Sequence, residues 1–263
     1  MPRVSLPRLH LFELEDQSWF PSSWRNFMTD YLRYVEGKFQ LHRLALEPLT
    51  RALDDSGAER IVDLCSGAGG PLVAILGEWA AEGSSVSAVL TDLYPHAAIA
   101  ETAGGLVEYR REPVDAAAVP PELIGLRTLF NGLHHFRPKQ AKAVLADAVR
   151  ASQPLAVFEV ADRTLLAIVP LVFVPLFVLL MTPFIRPFRW TRLFWTYLIP
   201  VLPLAILFDG VVSYLRAYTP NELLAMAQEV EPAAYRWQAG YLRAPKLPGR
   251  MTYLTGMPAV KGD

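Results

Sequence analysis

The stretch Arg60–Glu82, RIVDLCSGAGGPLVAILGEWAAE, limits the possible folds more than any other part of the chain. A short apolar run meets a turn carrying Gly67, Gly69 and Gly70, and an apolar helical segment follows. Glycines between a strand and a helix let the backbone come close to a ligand. The pattern then recurs. SVSAVLTD reads as a strand ending on Asp92, PHAAIAETA as a helix and LVEYRRE as a weaker strand. RTLFNGL is a strand, RPKQAKAVLADAVRA an amphipathic helix and PLAVFEVA a fifth strand. Strands alternating with helices call for a parallel sheet joined by right-handed crossovers.

The ends of the chain complete this plan. TPNELLAMAQEV predicts a helix with Thr219 as N-cap, Pro220 at the first helical position and Glu222 closing a capping box. AYRWQAGYLRA and MTYLTGM predict two strands paired as a hairpin through APKLPGR. Upstream, Leu41, Leu44, Ala45, Leu49 and Leu53 recur at helical spacing, which predicts a helix from about Lys38 to Leu53. Ser22 or Ser23 is placed to cap an earlier helix starting near Trp24.

Asp92 lies 23 residues beyond Gly69, near the spacing of a carboxylate that bonds ribose hydroxyls. Asp115 follows the third strand and Asn131 ends the fourth. The turn lacks a full G-x-G-x-x-G, but taken alone it leaves another dinucleotide cofactor open. VDLCSGAGG, LTDLYPH, EPVDAAAVP and LFNGLHHF together resemble the class I S-adenosylmethionine (SAM)-dependent methyltransferases. The likeness is close over 61–160 and looser over 219–257. It implies an α/β, Rossmann-like sheet, mostly parallel with a C-terminal antiparallel strand and helices on both faces. It also implies SAM as cofactor. Asp63 would orient the methionine amino group through the loop, and Gly67 and Gly69 would shape the methionine and ribose side. Asp92, with Leu93 beside it, would hold the ribose. Asp115 would face the adenine amino group and Asn131 would lie under the methionine portion. Cys65 belongs to the same cofactor loop and is a departure, since the family usually has glycine there.

Candidate catalytic groups are His135, His134 and Glu159. Either histidine can act as a base or simply shape the loop after the fourth strand. Glu159 and Asp162 end the fifth strand, on the edge where ligands bind in open α/β sheets, and either can instead pair with Arg163. Cys65 is either a reactive thiol at a helix start or a small residue filling the turn. Trp19, Phe20, Trp24, Phe27 and Tyr31 form an aromatic segment before the core. In the resembling family such a segment commonly covers the active site, which makes Gln17, Trp19 and Arg25 candidate substrate contacts.

The resemblance does not reach LLAIVPLVFVPLFVLLMTPFI, 21 residues from Leu165 to Ile185 without a charge. As a helix it would be about 30 Å long, the thickness of a bilayer core. Pro170, Pro175 and Pro183 argue against a straight helix. The second apolar run, Leu193–Phe208, is shorter and carries Pro200 and Pro203. A two-span hairpin would put Arg186, Arg189 and Arg192 on the far side, against the positive-inside tendency. Two models remain. In one, broken helices dip into one leaflet through 165–208; in the other, the insertion folds over the sheet edge as an oily cap in a fully soluble enzyme, with a dimer able to bury its outer face.

The expected parts are thus an N-terminal cap (1–55), a SAM-binding domain (56–162 and 218–263) and a helical apolar insertion (163–217). Of 263 residues 52% are hydrophobic and 19% charged, and the net charge of −1 gives no basic field for nucleic acid. One cysteine excludes an internal disulfide framework. The first residues carry no long apolar stretch, so no signal peptide is expected. The chain is expected in the cytoplasm, peripheral or monotopic on the inner face of a membrane. The expected activity is SAM-dependent methyl transfer to a small hydrophobic acceptor. A SAM-binding module without catalysis and a soluble dimeric methyltransferase are the alternatives.

Overall fold

The computed structural model describes residues 5–67, 69–95, 105–231, 233–243 and 250–259. In chain order these form α1 (Ser22–Phe39), α2 (Arg43–Ser56), β1 (Arg60–Asp63), α3 (Gly70–Ala81), β2 (Ser87–Leu90), β3 (Val107–Tyr109) and β4 (Leu126–Phe130). Then follow α4 (Pro138–Arg150), β5 (Leu155–Glu159), α5 (Leu165–Ile168), α6 (Val174–Met181), α7 (Trp190–Leu193), α8 (Val201–Arg216), α9 (Pro220–Val230), β6 (Tyr235–Arg243) and β7 (Arg250–Pro258). The helix expected over PHAAIAETA falls, apart from Pro95, outside the described residues, as does the connection 244–249.

The chain divides into two compact units, Met1–Gln40 with Ala161–Ala217 and Leu41–Val160 with Tyr218–Asp263. The second unit holds a seven-stranded sheet of order β3-β2-β1-β4-β5-β7-β6. β1 to β5 run parallel, and β7 lies antiparallel between β5 and β6. Strand residues alternate between two cores. Val62, Val89, Leu129 and Val157 pack with α4 and α9 on one face. Ile61, Ala88, Phe130 and Phe158 pack with α2 and α3 on the other. Burial on both faces explains why these strands read as continuous apolar runs. The strand order reverses beside β1, which puts the ends of β1 and β4 at a switch point, where ligand crevices form in such sheets.

The first unit joins the N-terminal segment to the insertion. Phe20, Phe27, Met28 and Tyr31 pack against Val178, Ile185, Leu202, Ala205 and Ile206. The run Leu165–Phe184 is one helical path of 20 residues in four pieces, α5, a 3-10 stretch, α6 and a 3-10 turn. Pro170, Pro175 and Pro183 each stand at the start of a new piece, where a missing N–H is tolerated.

Three expectations need correction. The helix read as Lys38–Leu53 is two: α1 runs through Phe39, Gln40 turns left-handed at φ 51°, and α2 starts at Arg43. The first helix begins at Ser22, with Pro21 at its N-cap and no side-chain cap from Ser22 or Ser23. Residues 41–55, assigned to an N-terminal cap, belong with the sheet, because Ala45, Leu49 and Leu53 are part of its core.

Candidate active site

The site residues of the second unit gather at the C-terminal ends of β1, β2, β4 and β5. Asp63 ends β1 and is buried. Its carboxylate accepts from Thr128 Oγ1 at 2.6 Å. Its backbone carbonyl accepts from Ser66 Oγ, Thr91 Oγ1 and Thr91 N–H at 2.8–2.9 Å. Asp63 thus ties three strands and the turn together. Burial, and then the charge of Asp92, pushes its carboxyl up to about 7 against the pull of the Thr128 and Ser66 hydrogen bonds.

The turn follows the glycine pattern. Gly67 and Gly69 have φ of 50° and 85°, and a Cβ built on Gly67 would meet nothing within 4 Å. Cys65, the non-glycine of the turn, also sits at positive φ, 57°. Burial, followed by the charges of Asp92, Asp63, Asp115 and Glu159, pushes its thiol up to about 12. That favours the filler reading over the reactive one. Asp92 clamps the turn: its Oδ2 accepts from Gly67 N–H and its Oδ1 from Tyr94 N–H, both at 2.8 Å. Leu93 beside it is exposed, and so is Asp115, whose Oδ1 accepts from Ala117 N–H at 2.8 Å. Asn131 stands at φ 51° and its Oδ1 accepts from Val160 N–H, joining the ends of β4 and β5.

Beyond Asn131 the chain makes a 3-10 turn, Leu133–His135. Glu159 Oε1 accepts from Leu133 N–H at 2.6 Å and His134 N–H at 3.3 Å, and Oε2 meets His134 Nδ1 at 2.6 Å. Burial alone would raise this carboxyl. The charge and hydrogen bond of His134, the charge of His135 and the Leu133 N–H outweigh burial and hold it below the ordinary carboxylate range. The pair is fully inside, while His135 is half-buried, its ring tilted 33° against that of His134 at 4.3 Å between centroids. Asp162 accepts from Thr164 Oγ1 and Arg163 donates to Ala217 carbonyl, both in the first unit.

In the first unit, Arg25 donates to the carbonyls of Glu15, Gln17 and Phe20, and Gln17 donates to Glu13 carbonyl. Both organise the 13–20 loop, whereas Trp19 is 67% exposed. Sequence reasoning missed Thr128, Ser66 and Thr91. The usable signal was a hydroxyl inside the apolar strand LRTLF, which needs a polar partner when buried.

No family model and no curated protein matches the chain. Solved structures do. The plantazolicin methyltransferase BpumL in complex with SAH is similar at TM-score 0.58 and 10% identity, over 94% of this chain and 95% of that one. The plantazolicin methyltransferase BamL, with a triazolic desmethylPZN analog and SAH, gives 0.52 and 10%, over 89% and 94%. Human N-acetylserotonin methyltransferase in complex with SAM gives 0.51 and 13%, over 90% of this chain and 56% of that one. The present chain therefore spans little more than half of the human protein. With the strand order, the glycine turn and the carboxylate at the end of β2, these likenesses identify the fold as that of the class I SAM-dependent methyltransferases.

Proposed function

We propose that the chain is a SAM-dependent methyltransferase acting on a small hydrophobic acceptor drawn from a membrane surface. The observation that carries this reading is the set of carboxylates at the strand ends around the glycine turn: Asp63 closes β1, Asp92 accepts from Gly67 N–H at 2.8 Å, and Glu159 closes β5. Such a site complements a ligand bearing a sulfonium and an ammonium. The open space above Gly67 suits the same ligand. When bound, the cofactor supplies an electrophilic methyl group. The chain's task is then to align the acceptor in line with that group and to accept a proton. Asp92 and Asp115 are the groups for ribose and adenine, and Asn131 lies at the methionine side.

In this reading Glu159 is a positioning residue. Its acceptor sites are engaged by two backbone N–H groups and by His134 Nδ1. An imidazole held through Nδ1 has Nε2 as its basic nitrogen. His134 and His135, whose rings lie 4.3 Å apart, are the candidate proton acceptors for an oxygen or nitrogen nucleophile. The hydrophobic acceptor follows from the insertion, which begins at Arg163, four residues after Glu159. Over an 18-residue window of its run Leu165–Phe184 the mean hydropathy is 2.8, and only 11% of that window is buried.

The test uses purified protein, methyl-labelled SAM and a total lipid extract, partitioned into organic solvent. Label is expected in the organic phase and absent with Asp92→Ala. His134→Ala is expected to lower kcat by about 10²-fold or more with SAM affinity unchanged. Label confined to the aqueous phase would overturn the hydrophobic acceptor. SAM binding without label in any fraction would favour a module without catalysis.

A further inference from the structure

The apolar insertion has two faces in different surroundings. The inner face packs on α1 through Phe27, Met28 and Tyr31. The outer face carries Leu165, Val169, Val172, Leu176, Leu180 and Phe184, each at least 50% exposed and spaced three or four residues apart. With Leu166 and Phe173, also more than half exposed, they form one apolar face along the helical run, which at about 1.5 Å per residue is about 30 Å long. Contiguous exposed apolar surface of that extent marks a contact with another apolar phase.

α1 decides how that contact is made. It carries Arg25, Asp30, Arg33, Glu36 and Lys38, and it is fixed along the insertion by Arg192, which donates to Asp30 at 2.8 Å. Were the insertion a spanning hairpin, α1 would bring these charges into the hydrocarbon, at a cost of several kcal/mol. The two ends of the insertion also meet, since Arg163 Nη1 donates to Ala217 carbonyl at 3.1 Å. The path therefore goes out and returns on one side of a membrane.

Charge identifies the occupant. From Leu165 to Phe208 there is no Asp or Glu. Arg192 is buried against Asp30 and the carbonyls of Ile185 and Pro187. Arg186 and Arg189 are exposed with no ion pair among the described residues, beside Trp190, which is 77% exposed. A second copy seated on this face would bring arginines to arginines without a counter-charge. An anionic headgroup supplies one, and Trp with Arg is the signature of the membrane interface.

We propose that the stripe Leu165–Phe184 lies in the acyl layer of one leaflet, without crossing it, while Arg186, Arg189 and Trp190 engage anionic lipid headgroups. The proposal rests on the membrane reading above and names its partner and its depth. Flotation of the full chain with phosphatidylcholine vesicles, with and without phosphatidylglycerol, tests it. Binding is expected with phosphatidylglycerol and weaker without it. Arg186→Gln with Arg189→Gln is expected to weaken binding about thirtyfold, equivalent to about 1 kcal/mol per cation. Leu176→Glu is expected to weaken binding to both vesicle types. A Phe188→Cys variant bound to sealed vesicles is expected to react with a membrane-impermeant maleimide added outside. Protection of position 188 would mean a spanning hairpin, and a dimer that ignores vesicles would mean a protein interface; either overturns the proposal. SAM binding, measured on the same samples by calorimetry, checks folding and separates the two readings. Vesicle binding without SAM binding would sink the methyltransferase and leave the docking surface standing, and the converse would do the reverse.

Discussion

Cys65 occupies a left-handed conformation in which a Cβ costs about 1–2 kcal/mol compared with glycine. Its side chain packs against the core of the second unit, which offsets part of that cost. It also restricts its neighbour, since a Cβ on Gly132 would lie 3.2 Å from the Cys65 Cβ. The turns after β1 and β4 thus approach so closely that only one of the two positions carries a side chain. Cys65→Gly is therefore expected to leave unfolding free energy within about 1 kcal/mol of the parent, relief of strain balancing lost packing. SAM affinity should stay within a few-fold of the parent. Calorimetry and urea unfolding measure both, and a loss of SAM binding would show that the thiol itself shapes the cofactor end. With the thiol pushed up to about 12, maleimide labelling in neutral buffer should be slow in the folded chain and fast in urea.

Among the elements, those whose order follows from local chemistry were legible. The α9 capping box is present as read: Thr219 and Glu222 bond each other's backbone N–H. Strands β1, β2, β4 and β5 were legible because both faces are buried, so that each is an apolar run bounded by turn residues. The break between α1 and α2 was not, because the apolar spacing of Leu41, Leu44 and Ala45 continues smoothly past Gln40. Only the packing of α1 with the insertion and α2 with the sheet separates the two helices. The ion pair that fixes α4 on β4 was equally hidden. Arg127 Nη1 donates to Asp147 Oδ2 at 2.6 Å, with both side chains buried, and Asp147 also accepts from Val119 N–H. Nothing in RTLFNGL or RPKQAKAVLADAVRA signals that these two charges face inward. Asp147→Ala leaves the guanidinium buried and uncompensated, and should cost about 3–5 kcal/mol in urea unfolding. Replacing both residues with leucine should recover most of that loss. A small effect of the single change would mean that water reaches Arg127.

At the scale of the whole chain, the sequence divided the N-terminal segment from the insertion. Met1–Gln40 and Ala161–Ala217 instead form one unit, joined by contacts such as the bond from Arg192 to Asp30 that no local pattern encodes. Each unit holds a carboxyl raised by burial. Asp63 goes from 3.8 to about 7, and Glu36 goes from 4.5 to about 7 against the pull of Arg33. Between the unfolded and folded values the folded chain keeps protons that the unfolded chain has released, so stability falls as pH rises from about 4 to about 7. Glu159 works in the opposite direction: held below 4.5, it contributes stability that is present above that value and is lost as pH falls through its folded value. Thermal stability should therefore be greatest near about pH 4.5 and decline toward about pH 7, and Asp63→Asn should flatten the decline. A cationic cofactor reverses the balance at Asp63, because it favours the carboxylate that burial disfavours. SAM affinity should then rise with pH up to about 7, by at most about tenfold per unit, while the melting temperature of the ligand-free protein falls over the same interval. Titration calorimetry across that range measures the affinity, and scanning calorimetry measures the stability. Affinity that is flat with pH in the parent, or unchanged in slope by Asp63→Asn, would mean that the charge felt by the cofactor comes from Asp92 and Asp115 alone.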